Sequence, residues 1–285
     1  MPQPVRGWTC EKGQSMTTQP ALEDLDLGPT GSPSLPAGLY RWEPARRRVR
    51  AVVDGMTVVD SRKVMLLLES GHLPVFYFPM DDVRQDVLTP SSHTTHSPLK
   101  GDAAYWSLTA GDRTIEDAVW GYLNPPEGAP DMAGYVALYW GKMDAWYEEE
   151  TQVFGHARDP YKRIDILPSV ERVRMVLGGE TVVDTLQPRL LLETGLLTRY
   201  YVPAADVRMD LLEPSESSSY CPYKGRASYW SATVGGTTYP DVVWAYHDPL
   251  PECLHIKDLL CFYNERLDAI EVGGVTIDVP RTPWS

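Results

Sequence analysis

The residues best suited to chemistry lie in the second half of the chain. Cys221 stands beside Lys224 and near Arg226. Cationic neighbours raise the thiolate fraction of a thiol, and the thiolate is the nucleophile. Cys221 is therefore a candidate nucleophile or redox thiol. The plain alternative is a small, half-buried residue that orders a turn rich in Ser and Pro. Lys224 and an earlier counterpart, Lys100, each precede Gly and a strand, where a lysine meets either a carboxylate or an anionic ligand. Glu193 and Glu69 each follow three leucines at the end of a strand, and a part-buried carboxylate needs a partner. The partners on offer are Arg208 and Arg84 or the two lysines, and a structural ion pair outweighs a general base. With Tyr201 added, the candidate catalytic set is Cys221, Lys224, Glu193 and Tyr201.

Aromatic residues surround these positions. Tyr200, Tyr201, Tyr229, Trp230, Trp244 and Tyr246 offer wide contact area with polar handles. Alternation along a strand sends about half of them to a core and half to a cleft. Arg158, Asp159, Tyr161, Arg163 and Asp165 form a dense charged segment that either contacts an anion or clamps two units together, with clamping favoured. The candidate ligand-binding residues are Arg163, Tyr200, Arg208, Tyr223, Tyr229 and Trp244. No metal site is expected. His93 and His96 stand in a Ser/Thr loop without clustered carboxylates, and the four cysteines form no Cys-x-x-Cys pair. No P-loop, G-x-G-x-x-G or G-x-S-x-G motif is present, and no cofactor is expected.

The elements that position these residues come from an internal duplication. At a shift of 124 residues (Thr57 onto Thr181), Arg50 to Ala145 align without gaps, with about 40 of roughly 96 positions identical. Leu66-Leu67-Leu68-Glu69 meets Leu190-Leu191-Leu192-Glu193, and Tyr105-Trp106-Ser107 meets Tyr229-Trp230-Ser231. The expected organisation is a flexible extension over 1–38, β-rich domains over 39–150 and 151–274, and a tail over 275–285. Each unit reads as mainly β, because its apolar segments are short and rich in Val, Tyr and Trp. Asp54-Gly55 and Gly178-Gly179 mark a first hairpin; Gly111-Asp112 and Gly235-Gly236 mark a second. Tyr139 to Lys142 and Tyr263 to Glu265 suggest a third. A short helix is expected after Pro79 and after Pro203, and the prolines from Pro90 to Pro249 are placed between strands.

Composition narrows the partners. With 26 Lys and Arg against 39 Asp and Glu, the net charge of -13 disfavours phosphate backbones and anionic lipid. Neither a nucleic acid nor a membrane is expected, and no apolar run approaches the roughly 18 residues of a spanning helix. The scattered cysteines and the start, which lacks the features of a secretory signal, point to the cytoplasm.

Particular motifs carry a family resemblance. The second unit runs Arg158-Asp159-Pro160-Tyr161-Lys162-Arg163, then Arg199-Tyr200-Tyr201-Val202-Pro203, Cys221-Pro222-Tyr223-Lys224-Gly225 and Trp244-Ala245-Tyr246. Over about 40–274 the chain resembles tandem members of the bacterial and fungal family called domain of unknown function 427. The resemblance implies a small mainly β fold, tent-like or a small sandwich, with few short helices, and a nucleotidyltransferase label. The chain lacks the Gly-Ser followed by a spaced Asp-x-Asp with which ordinary nucleotidyltransferases hold metal and triphosphate. The first unit departs from the family motif, with Ser97 and Leu99 in place of Cys221 and Tyr223. Two functions follow: a small-molecule pocket in the second unit, for a nucleotide or another anion, or a non-catalytic binding or interaction scaffold.

Overall fold

A computed structural model describes residues 40–278. The expected flexible extension, with Cys10 and Trp8, lies outside the described residues, as does 279–285. The first unit contains β1 (Tyr40–Pro44), β2 (Val49–Val53), β3 (Met56–Ser61), β4 (Met65–Glu69), β5 (Val75–Pro79), β6 (Leu88–Ser97), β7 (Gly101–Ala110), β8 (Arg113–Gly121), β9 (Tyr135–Leu138), β10 (Ala145–Glu148) and β11 (Thr151–Val153). The second contains β12 (Ile164–Pro168), β13 (Val173–Leu177), β14 (Glu180–Thr185), β15 (Arg189–Glu193), β16 (Arg199–Val202), β17 (Leu212–Cys221), β18 (Gly225–Val234), β19 (Thr237–Ala245), β20 (Leu260–Phe262), β21 (Ala269–Val272) and β22 (Val275–Thr276). β11 pairs with β10, so the first unit runs on past residue 150 to Val153. β22 likewise carries the second unit to Thr276.

Both units are built alike. A seven-stranded antiparallel sheet, ordered β1-β4-β5-β9-β8-β7-β6, faces a four-stranded sheet, β11-β10-β2-β3. The second unit repeats this as β12-β15-β16-β20-β19-β18-β17 and β14-β13-β21-β22. The helical segments among the described residues are short 3-10 turns, including the expected ones at Met80–Asp82 and Ala204–Asp206.

Strand alternation builds two apolar layers per unit. On β2, Val49, Ala51 and Val53 are buried while Arg50 and Val52 are less so. On β5, Phe76 and Phe78 enter the core between the sheets with Leu108, Val119 and Trp146. Tyr77, between them, joins a second cluster with Leu67, Tyr105, Tyr122 and Met132. Side chains two apart share a face, so the seven-stranded sheet carries a core on one side and an aromatic layer on the other. Each fully buried Val, Leu or Phe contributes roughly 1.5–3 kcal/mol.

The first two hairpins form as expected. Asp54 and Gly55 have φ of 47° and 73°, and Gly235 and Gly236 have 55° and 83°. Two successive left-handed residues make the turn that matches strand twist. The third segment differs. Trp140–Lys142 and Asn264–Arg266 are 3-10 turns that carry the chain from the large sheet to the small one, so they join two sheets rather than two paired strands. The Ser/Thr tracts are ten-residue edge strands, not loops. Pro90 and Pro214 lie inside β6 and β17, at register breaks on the outer edge, where a missing N–H costs no ladder bond.

Candidate functional site

The aromatic outer layer of each large sheet carries a buried ion pair. β4 ends at Glu69 and the turn before β7 holds Lys100; their side chains pair. β15 ends at Glu193 and the turn before β18 holds Lys224, which pairs in the same way. The four residues are largely buried, with Glu193 at 7% and Lys224 at 9% of full exposure. Arg84 and Arg208, the other partners considered, turn elsewhere: Arg84 pairs with Asp86, and Arg208 with Asp210 at 2.7 Å and Glu180 at 3.5 Å. Arg208 is thus separate from the centre.

The second centre holds a further cation. Lys162, from the linker, places Nζ 3.4 Å from Glu193 Oε1. Two ammonium groups on one carboxylate leave the centre with a surplus positive charge. Burial acts to lower the Lys224 pKa, but the facing Cys221 and Glu193 outweigh it and hold the ammonium above its ordinary value. Sequence reasoning missed Lys162, because which linker residue reaches Glu193 depends on how the linker lies on the unit.

Three cysteines converge here. Cys221 closes β17, half-buried, and packs with buried Cys253 and Cys261 in one cluster with Tyr201, Trp244 and Tyr246. Their counterparts in the first unit are Ser97, Ala129 and Ala137. Burial pushes the Cys253 thiol up to about 11 and Cys261 higher still. Tyr201 is fully buried, and its hydroxyl oxygen accepts from Trp244 Nε1–H at 3.0 Å. Burial raises its phenol well above the usual value, so it stays protonated near neutral pH and cannot serve as a base.

The remaining candidates divide. Trp244 lies in the same layer, and its neighbour Tyr263 packs against it with tilted rings at 4.5 Å. Tyr223 covers the centre; its hydroxyl accepts from the Asp159 backbone N–H at 2.7 Å. Tyr229 lies further along the same face, bonded to Ser219 Oγ at 2.7 Å. Arg163 is exposed, pairs with Asp165, and lines a hollow of about 270 Å3 with Glu193, Thr194 and Thr198. Tyr200 does not belong to the site: it points into the core between the sheets with Val202, opposite Tyr201.

The linker touches both units. Ala157 packs with the core of the first. Tyr161 donates to Glu43 Oε2 at 2.7 Å, under the Arg41 guanidinium at 4.4 Å. Towards the second, Arg158 pairs with Glu252 at 3.7 Å and Phe154 packs on Tyr220 with tilted rings at 4.4 Å. The clamping geometry is therefore present.

The first centre is open where the second is filled. A hollow of about 360 Å3 surrounds Glu69 and Lys100, lined also by Tyr77, Tyr122, Trp120 and Ser97. At the matching place the second unit has Arg199 for Val75 and Cys261 for Ala137. The Arg199 guanidinium lies 5.6 Å from the Trp244 ring and makes two bonds to Glu265, at 2.5 and 2.7 Å. This pair has no counterpart in the first unit, where Gly141 replaces Glu265, so the duplication gave no signal for it.

The expected metal-free reading rested on the histidines and cysteines. His93 packs on Tyr105 and His96 pairs with Asp102 at 2.7 Å. Among the described residues no three His, Cys, Asp or Glu side chains are arranged to hold a metal ion. No helix among them is long and apolar enough to cross a membrane.

Comparison with known proteins gives one finding. Residues 41–149 and 165–273 each match the sequence model of a family described as domain of unknown function (DUF427). No curated protein matches the chain.

Proposed function

The chain belongs to the DUF427 family, of which it carries two tandem copies, and from that premise we propose that it binds a small anionic ligand at the Glu193 centre of the second unit. The observation that carries this reading is the pairing of Lys162 and Lys224 on one buried carboxylate. A surplus cation in a water-poor place favours an anion more strongly than the same charge does at the surface. Arg163, Thr194 and Thr198 stand at the mouth of the adjoining hollow as polar contacts. Cys221 and Lys224 are the groups that would act on a bound ligand, and Tyr223 and Trp244 shape its surroundings. Nucleotides are the first class to try, because the family resemblance carries a nucleotidyltransferase label. The reading places the protein in a reducing cytoplasm, supported by a half-buried free thiol at Cys221.

A specific observation favours a second binding place. The hollow at Glu69 and Lys100 includes buried Tyr77 and Tyr122 in its lining and holds a balanced pair of charges, which suits a neutral or zwitterionic molecule.

The test is thermal unfolding against a panel of nucleotides and small carboxylates. A binding anion raises the midpoint, since ligand held only by the folded state stabilises it. Lys162→Met abolishes that rise. A panel without any shift, or a shift untouched by Lys162→Met, would sink the assignment.

A further inference from the structure

A second constellation is repeated in both units, away from the Glu–Lys centres. In the second unit it comprises Tyr229, Asp241, Tyr263 and Arg266; in the first, Tyr105, Asp117, Tyr139 and Lys142. Each aspartate sits at a bulge on the strand beside the tyrosine, in the left-handed region, at φ 49° for Asp241 and 48° for Asp117. A non-glycine residue persists there only when its surroundings hold it. The hold is the same twice: the Asp241 N–H donates to Ser231 Oγ at 3.1 Å and the Asp117 N–H to Ser107 Oγ at 3.2 Å.

The two copies differ in the side chains that border the place. In the first unit His93 meets the Tyr105 ring edge-on at 4.5 Å and stands over this place. Lys142 is tied down, donating to the carbonyls of Glu116 at 2.7 Å and Asp117 at 3.0 Å. In the second unit Ser217 replaces His93 and Arg266 replaces Lys142. The smaller side chain leaves a hollow of about 370 Å3, lined by Ser217, Ser218, Ser219, Tyr229, Asp241, Tyr263 and Arg266. The Arg266 side chain makes no hydrogen bond and no close ion pair among the described residues; it lies over the Tyr263 ring at 6.0 Å, and its charge helps to hold the Asp241 carboxyl below its ordinary value, after the hydroxyls of Ser215 and Ser217. Ser217 Oγ donates to Asp241 Oδ2 at 2.7 Å, and Tyr229 shares a hydrogen bond with Ser219.

We propose that this hollow is a binding site for a small polyhydroxylated anion, of the sugar-phosphate or sugar-acid class. A guanidinium fork whose N–H donors make no hydrogen bond matches a phosphate or carboxylate with two parallel bonds. The Asp241 carboxylate accepts from ligand hydroxyls, and the Ser and Tyr hydroxyls both donate and accept. The Tyr263 ring offers an apolar face to the carbon skeleton.

The experiment is thermal unfolding and calorimetric titration of the full chain with ribose 5-phosphate and with gluconate, which separate the phosphate from the carboxylate source. At saturating concentration one or both raise the midpoint by roughly 3 °C. Ribose alone and inorganic phosphate alone give less than half of that. Arg266→Met weakens affinity about ten-fold or more, and Ser217→His, which restores the side chain of the first unit, abolishes the shift. Lys142→Met and Lys162→Met leave it intact, which separates this site from the Glu193 centre. If Arg266→Met lowers the ligand-free midpoint, Ser217→His carries the test. The proposal is overturned if neither probe shifts the midpoint, if the shift survives Ser217→His, or if inorganic phosphate alone reproduces it.

Discussion

The two units share a fold and a buried Glu–Lys pair, yet they treat the space around that pair in opposite ways. The first leaves it open, with Val75, Tyr77 and Ser97 among its lining. The second fills it with Arg199, Glu265 and Cys261 and reaches over it with Tyr223 and Lys162. The pair itself serves both arrangements, so its first duty is structural. Glu and Lys stand 31 residues apart in each unit, tying the end of one strand to the turn before another. What differs is surplus charge at Glu193 and open space at Glu69.

The largest expected effect tests that division. Glu193→Ala leaves buried Lys224 and part-buried Lys162 without this counter-charge and costs about 3–5 kcal/mol in urea unfolding. Glu69→Ala leaves Lys100 alone, beside a hollow that admits water, and costs about half as much. Equal losses in the two variants would show that Lys162 adds nothing to the second centre.

The next effect is a pH dependence common to both units. Burial pushes the phenols of Tyr122 and Tyr223 up to about 12, above the ordinary value near 10. Between these values the unfolded chain releases protons that the folded chain keeps. Stability is therefore full below pH 10 and falls as pH rises through 12, by about 2–3 kcal/mol for each phenol. Phenolate absorbance should appear together with unfolding. Titration of both phenols near pH 10 in a folded protein would refute the burial argument.

Much of this was legible because the chain repeats itself. Forty matched positions exposed the two units, and residue types alone marked the hairpins at Gly178-Gly179 and Gly235-Gly236. The Glu–Lys pairing was among the alternatives because both members recur at equal spacing. Facing along β16 was legible as a rule but not in phase: alternation separates Tyr200 from Tyr201 without saying which enters the core. The edge strands β6 and β17 were obscured by Ser, Thr and Pro, which read as loop. An outermost strand has one solvated ladder edge, so polar residues and a proline cost it little. Lys162, Arg199 with Glu265, and the convergence of three cysteines were hidden for another reason. Each depends on contacts between distant segments that only one unit makes, so the repeat could not vote for them.

A smaller effect concerns the linker. Tyr223→Leu gives the second unit the residue of the first, Leu99, and removes the acceptor for the Asp159 N–H. The cost is about 1 kcal/mol, since the donor is only part-buried and water can reach it. Its signature is local: hydrogen exchange at Asp159 accelerates while β13 and β21 keep their protection. An unchanged exchange rate at Asp159 would mean that the linker is held by its contacts with the first unit instead.

The smallest effect separates stability from reactivity. Cys221→Ser converts the second unit to the first at the edge of the centre, where Ser97 already shows that the fold accepts a hydroxyl. Cys221 is half-buried, so its exchange for Ser changes stability by less than about 0.5 kcal/mol. Reactivity should divide the thiols differently. Cys253 and Cys261 are buried and kept protonated, so a maleimide or disulfide reagent labels them only on unfolding. Cys221, beside Lys224, is the described thiol that reacts in the folded protein. A ligand at the Glu193 centre then slows that labelling, while ribose 5-phosphate at Arg266 leaves it unchanged. If Cys221 resists the reagent in the folded state, the thiol belongs to the packed layer with Cys253 and Cys261. The second unit would then differ from the first by its charges alone.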